Sequence, residues 1–150
     1  MATSAYQQAA PTRPWFGHVI GAGLKAGLVG GLIFGVMMAM MGMLPMIAMM
    51  IGSSSAVWGF AIHLGISVYI GAVYALVARS LPARTAPHLA AGVLNGVVWW
   101  VLGALIAMPL ALGMPEMVLA VGQPQVMSLI GHLVFGLVTA LVFSRLYRSS

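Results

Sequence analysis

The near absence of charge over four long apolar stretches limits this chain more than any other feature. The stretches cover approximately residues 15–44, 57–78, 88–107 (extending up to 112) and 126–146. Only 5% of the residues are charged, whereas a soluble domain carries roughly 25%. Each stretch can cross a hydrocarbon core of about 30 Å, which takes roughly 20 helical residues. The sequence therefore predicts an all-α integral membrane protein, a bundle of four transmembrane helices.

The segments between the stretches complete the predicted layout. Residues 1–14 are polar and are expected to form a cytoplasmic tail, which leaves residues 15–150 as the transmembrane domain. Residues 45–56 carry no charge and predict a short interfacial segment followed by a turn. Pro109 is expected to kink or end the third helix, because proline lacks the backbone N–H that a helix interior needs.

The basic residues predict the orientation of the bundle. In a layout with four crossings, all six lie on one side of the membrane, at Arg13, Lys25, Arg79, Arg84, Arg145 and Arg148. Because Lys and Arg accumulate on the cytoplasmic side, both termini are expected to be cytoplasmic. The expected location is the bacterial inner membrane.

An internal repeat is suggested by two stripes of residues four apart. The first stripe runs from His63 to Arg79 through Ser67, Gly71 and Ala75, and the second runs from His132 to Arg148 through Gly136, Ala140 and Ser144. Every member has a counterpart 69 residues later. The spacing predicts two tandem two-helix repeats, over about 15–79 and 86–148. An even number of crossings gives both the same orientation.

Small residues at spacing four also mark predicted helix–helix contacts. Residues four apart share one helix face, and small side chains let two backbones approach closely within lipid. A groove for a ligand is the alternative use of such a face. The predicted packing residues are Gly23, Gly27, Gly31, Gly35, Ser67, Gly71, Ala75, Gly136, Ala140 and Ser144.

The scarcity of reactive side chains argues against catalysis. Glu116 is the one acidic residue of the sequence, and cysteine is absent. This composition provides no carboxylate pair for acid–base chemistry and no thiol nucleophile. No basic stripe interleaved with aromatic residues is present, so a nucleic-acid partner is not expected. The sequence predicts a protein that is not an enzyme.

Two constellations could bind a cofactor or a metal. His63 and His132 begin the second and fourth helices and are expected to point inward as a pair. They could ligate haem b or a metal, line a proton or solute path, or simply bond to neighbouring carbonyls. Met40, Met43 and Met46 belong to a methionine-rich stretch, residues 37–50, whose thioethers suit Cu(I). Adaptable apolar packing is the alternative for these methionines.

These features predict a small non-catalytic membrane protein. We expect an accessory or assembly subunit of a larger membrane complex, or a homo-oligomer, with the bilayer and a membrane protein as partners. One alternative is a protein that binds haem b or copper through the His63/His132 pair or the Met37–Met50 cluster. A small-solute transporter is the second alternative.

Overall fold

The computed structural model describes residues 15–82 and 84–148, so the predicted tail lies outside the described residues. The helices are α1 (Phe16–Met40), α2 (Leu44–Ala48), α3 (Ala56–Ala78), α4 (Thr85–Ala111) and α5 (Gln123–Arg148). All but α2 are long and apolar enough to cross a membrane, and the described residues contain no strand. The predicted all-α class, with four helices that could span a membrane, is confirmed.

The four long helices form an open row rather than a closed square. Helix α1 packs along α3 on one side and along α5 on the other, and α4 packs along the far side of α5. The outer helices α3 and α4 approach each other less closely, and they meet through the Tyr69 and Trp99 rings, 6.0 Å apart, and through the Tyr74 hydroxyl, which donates to the His88 carbonyl. Helices α1 and α5 are thus the inner pair of the row, and a gap remains between α3 and α4.

The predicted glycine stripe of α1 lies against α3. A Cβ atom added to Gly27 would lie 2.8 Å from the Cα of Gly71, and one added to Gly31 would lie 2.6 Å from the Ser67 hydroxyl. Gly23 faces Ala75 in the same way, and Gly35 faces the Phe60 ring. The two backbones therefore touch along this seam, which leaves no room for side chains on α1.

An equivalent seam joins α4 to α5. A Cβ on Gly92 would lie 2.6 Å from the Cβ of Ala140, and one on Gly136 would lie 3.2 Å from the backbone nitrogen of Gly96. Gly92 and Gly96 were not among the predicted packing residues. Ser144 is buried as well, but its hydroxyl donates to the Leu141 carbonyl of its own helix, at 3.0 Å.

The two seams make equivalent contacts, but the residues of α3 and α5 that correspond to each other are not 69 positions apart. Gly71 lies against Gly23 and Gly27. Gly136 lies against Gly92 and Gly96 in the same manner, although a spacing of 69 would pair Gly71 with Ala140. The contacts of α5 are shifted by four residues, about one helical turn. In this register, His63 corresponds to Ser128 and Ser67 corresponds to His132.

A second small face of α1 contacts α5. A Cβ on Gly30 would lie 2.6 Å from the Thr139 hydroxyl and 3.1 Å from the Phe135 carbonyl oxygen. In the opposite direction, the Phe34 ring fills the space where Gly131 has no side chain. Because α1 has glycines on two of its faces, it packs closely against α3 and α5 at once.

Three helix boundaries differ from the predicted ones by three residues or more, the first being the start of α4, at Thr85 rather than residue 88. Helix α1 ends at Met40 rather than near residue 44, because Gly42 takes a left-handed φ of 67° and turns the chain into α2. The last helix begins at Gln123 instead of Val126, since Pro124 is well accommodated in a first turn.

Proline at position 109 does not end α4, which continues to Ala111. The preceding segment, Trp100–Ala107, is π-helical. The carbonyl of Leu105, four residues before Pro109, has no α-helical donor because proline lacks an N–H, and it accepts the Leu119 N–H at 2.9 Å. The wide turns and this external donor allow the helix to carry the proline.

Substitutions at two glycines of α1 test the seam. Gly27→Ala is expected to destabilise the protein by roughly 1–3 kcal/mol, because its Cβ would meet backbone that cannot move aside. Gly21→Ala is the matched control on the same helix, with nothing within 4 Å of its Cβ. Since alanine favours helix by about 1 kcal/mol over glycine, this change is neutral or stabilising. Chemical unfolding in detergent micelles measures both, and equal effects would contradict the seam.

Candidate functional site

A cavity of about 390 Å³ lies in the gap between α3 and α4. Its walls are mostly apolar and come from all five helices. The π-helical segment of α4 supplies Leu102, Gly103, Ala104 and Ala107. The cavity is at the end of the bundle that holds α2, away from the arginines of the chain terminus. Both histidines of the predicted pair line it, so the structure brings them to one site.

His63 is fixed by helix α1. Its Nε2 lies 3.1 Å from the carbonyl oxygen of Gly31, which is accessible because Gly31 has no side chain. The Ser67 hydroxyl donates to the backbone carbonyl of His63 at 2.8 Å, so its proton is not available to the imidazole. A carbonyl only accepts, and therefore Nε2 carries the ring proton. Nδ1 retains the free lone pair.

His132 is fixed within its own helix. Its Nδ1 lies 2.8 Å from the carbonyl oxygen of Ser128, one turn earlier in α5. By the same reasoning, Nδ1 carries the proton and Nε2 retains the lone pair. Both histidines thus bond to carbonyls, which was one of the alternatives inferred from the sequence. Each ring still has one nitrogen that can accept a ligand.

The ring of Phe34 joins the two histidines. It contacts His63 edge-on at 5.1 Å between centroids and His132 at 4.9 Å. The two imidazoles, which come from different helices, therefore share one aromatic neighbour on α1. No direct hydrogen bond links the two rings in residues 15–82 and 84–148.

The methionine candidates divide between the cavity and the surface. Met43 and Met46 line the cavity, whereas Met40 is 84% exposed and lies outside it. Met38 and Met50, which belong to the predicted Met37–Met50 cluster although not to its three named candidates, also line the cavity, and Met108 is the lining methionine that sequence reasoning missed. Met38 lies one turn after Phe34 on the same face of α1, and this spacing could have identified it. Met108 follows the π-helical segment, for which the sequence gives no signal.

Several polar groups lie around these histidines and methionines. Ser67, Tyr69, Gln125 and Ser128 line the cavity. The indole N–H of Trp100 donates to the Gln125 carbonyl at 2.9 Å and ties α4 to the start of α5. Within the described ranges, no group of three His, Cys, Asp or Glu side chains could hold a metal ion. Methionine sulfur and imidazole nitrogen are therefore the strongest donors available there.

The other two histidines lie at the opposite end of the bundle. His88 is fully buried and packs against Phe143, and its carbonyl accepts the Tyr74 hydroxyl at 2.8 Å. His18 lies 3.4 Å from the Leu146 carbonyl oxygen. Neither lines the cavity. The candidate site is accordingly built on His63 and His132.

Comparison with known proteins finds no matching family model, curated protein or solved structure.

The hydrogen bonds predict a different tautomer for each histidine of the pair. In ¹⁵N-labelled protein, His63 is expected as the Nε2–H form and His132 as the Nδ1–H form, because a carbonyl binds each protonated nitrogen. Nitrogen NMR distinguishes the two forms, and His63→Gln and His132→Gln assign the signals. The same tautomer at both positions would contradict the described bonding.

Proposed function

We propose that this protein is a non-catalytic integral membrane protein that binds a small ligand in the cavity between α3 and α4. One observation supports this most strongly. The His63/His132 pair and the methionine-rich segment are separate features of the sequence, yet both contribute to the same cavity. An apolar cavity with a few convergent polar groups is the usual form of a ligand site.

The wall of the cavity supports a binding role as well. Extended π-helical segments are rare and occur frequently at functional sites. Here the π-helical segment, Trp100–Ala107, forms one side of the cavity, and its backbone depends on Leu119 for a hydrogen bond. Such a costly local structure is easier to explain as part of a site than as packing alone.

The bonding of the serines argues against catalysis. Ser67 is close to His63, but its hydroxyl donates to a carbonyl and not to the imidazole. Ser128 presents its carbonyl to the protonated Nδ1 of His132. Neither serine is activated by a base, as nucleophilic catalysis requires. The cavity is also lined by no acidic residue within the described ranges.

The ligand is smaller than haem b. Two axial histidines would have to face one iron from opposite sides of the macrocycle. Phe34 contacts both imidazoles at about 5 Å, so a macrocycle bound by both would have to displace this ring. The geometry therefore favours a compact ligand.

An accessory role in a membrane complex is the second candidate. The glycine stripes are used within the chain, so they no longer favour an external partner. Helix α4 does favour an external partner, because only 17% of its most apolar 18-residue segment is buried within the protein. The corresponding share for α1 is 50%. Away from the cavity, α4 exposes Leu94 and Leu110. A partner helix or a second copy would pack along this exposed surface of α4.

We also propose that both termini are cytoplasmic, in a bacterial inner membrane, and that the two hairpins derive from one repeated unit. In support, the α3–α4 turn and the end of α5 meet at one end of the bundle. The Tyr147 hydroxyl donates to the Arg79 carbonyl, and Arg148 donates to Thr85. This groups arginines at one membrane surface and Glu116 at the other. The shared seam geometry supports the repeat.

Reporter fusions test the orientation. A reporter active only in the cytoplasm is expected to work when fused after Ser150 and to fail when inserted between Gly113 and Gln123. A reporter active only outside the cytoplasm should give the reverse pattern. An active external reporter at Ser150 would refute the proposed topology.

Filling the cavity tests the ligand site. Gly103 lines the cavity and has nothing within 4 Å of its Cβ, so Gly103→Leu introduces bulk without a backbone clash. Gly65→Leu is the matched control, because Gly65 is equally open but does not line the cavity. Native mass spectrometry of protein taken from its own membrane should show a bound ligand in wild type and in Gly65→Leu, but not in Gly103→Leu. A ligand-free wild type, or equal retention in both variants, would contradict the proposed function.

A further inference from the structure

We propose that the ligand of this cavity is monovalent copper, bound by the thioether sulfurs of Met43 and Met46 and the free ring nitrogens of His63 and His132. This inference rests on the proposed function and names its ligand. It unites two donor types that the cavity brings together from the α1–α3 connection, α3 and α5.

The orientation of the two imidazoles suits a metal ion. Histidines that bind metals nearly always donate their other ring N–H to a carbonyl, a carboxylate or water, which fixes the ring and its tautomer. His63 donates to the Gly31 carbonyl and His132 donates to the Ser128 carbonyl. The nitrogens left over, Nδ1 and Nε2 respectively, carry the lone pairs that a metal needs.

The soft donors that line the cavity favour copper. Thioethers select Cu(I), and neutral imidazole also binds copper, whereas Ca²⁺ and Mg²⁺ prefer oxygen ligands. The cavity is lined by five methionines and by no carboxylate in the described part of the chain. The lining methionines are Met38, Met43, Met46, Met50 and Met108.

The absence of charge on the proposed ligands favours a monovalent ion. Burying an ion in an apolar medium is costly, and the cost rises with its charge. All four proposed ligands are neutral, so none compensates the metal charge. A monovalent ion is therefore accommodated at a lower cost than a divalent one.

Access to the site is provided by the connection after α1. Met46 is 42% exposed and lines the cavity, so its sulfur can meet an incoming ion. Gly42 and Gly52 flank this connection with left-handed φ values of 67° and 71°, which fold it back over the cavity. The methionine side chain is flexible enough to follow a bound ion.

A copper titration with matched methionine variants tests the inference. The whole protein is purified in detergent, kept anaerobic and titrated with Cu(I) against a chromophoric Cu(I) chelator. The site variant is Met43→Leu with Met46→Leu, in which volume is largely conserved. The control is Met40→Leu with Met49→Leu, since both residues are exposed and neither lines the cavity. A third variant, His132→Gln, removes one imidazole.

Wild type and the control are expected to bind one Cu(I) per chain with similar affinity. The site variant and His132→Gln should lose at least about tenfold in affinity, the lower bound seen when even outer-shell groups of metal sites are changed. Thermal unfolding without metal confirms that each variant is folded. Equal affinity in the site and control variants would overturn the copper assignment.

The two proposals fail in different ways. If wild type binds no Cu(I) but retains an organic ligand that Gly103→Leu loses, the copper inference is wrong and the binding function stands. If wild type binds neither Cu(I) nor an organic ligand, both are wrong. Binding of Zn²⁺ in preference to Cu(I) would likewise refute the role assigned to the thioethers.

Discussion

The close approach of α1 to two neighbouring helices is the contact on which the rest of the structure depends. Lipid tails are as apolar as the side chains of the protein, so burial provides little drive for helices to associate. Dispersion contacts between closely packed backbones take its place. Gly27 provides such a contact with α3 and Gly30 provides one with α5. The small faces of α1 thus determine which helices become neighbours.

The cavity follows from this arrangement. Because α1 and α5 form the centre of the row, α3 and α4 are held apart at the end where α2 lies. The same small residues also shape the site. Gly31 exposes the carbonyl that fixes His63, and Gly131 leaves room for the Phe34 ring beside His132. The residues that pack the helices therefore also position the site. Loss of the seam would misplace the side chains that are proposed to bind the ligand.

The bilayer explains why so much of the fold could be predicted. Spanning helices need long uncharged stretches, and helices packed at backbone distance need small residues at spacing four. Both requirements appear directly in the sequence. The inward position of His63 and His132 followed from the stripes that they share with small residues. A polar side chain on a tightly packed face has few other places to lie.

What the sequence could not provide depends on contacts between distant segments. The π-helical turns before Pro109 depend on Leu119, which the chain brings back to Leu105. The methionine stretch is interrupted by Gly42 and Pro45, so helical spacing could not separate Met40 from the lining residues Met43 and Met46. The one-turn shift between the seams likewise arises from the fit of Gly136 against Gly92, which a repeat spacing does not specify.

The aromatic cluster around Phe34 gives the most direct test, because it requires α1, α3 and α5 to be neighbours at the cavity. Solid-state NMR in lipid bilayers, with labelled phenylalanine and histidine rings, measures the two ring contacts separately. The account predicts a contact from Phe34 to His63 and another to His132, with centroid separations of 5.1 and 4.9 Å. Both should disappear in Phe34→Leu. A wild-type protein in which Phe34 contacts only one histidine, or neither, would contradict the position of α1 between α3 and α5 and the cavity built around it.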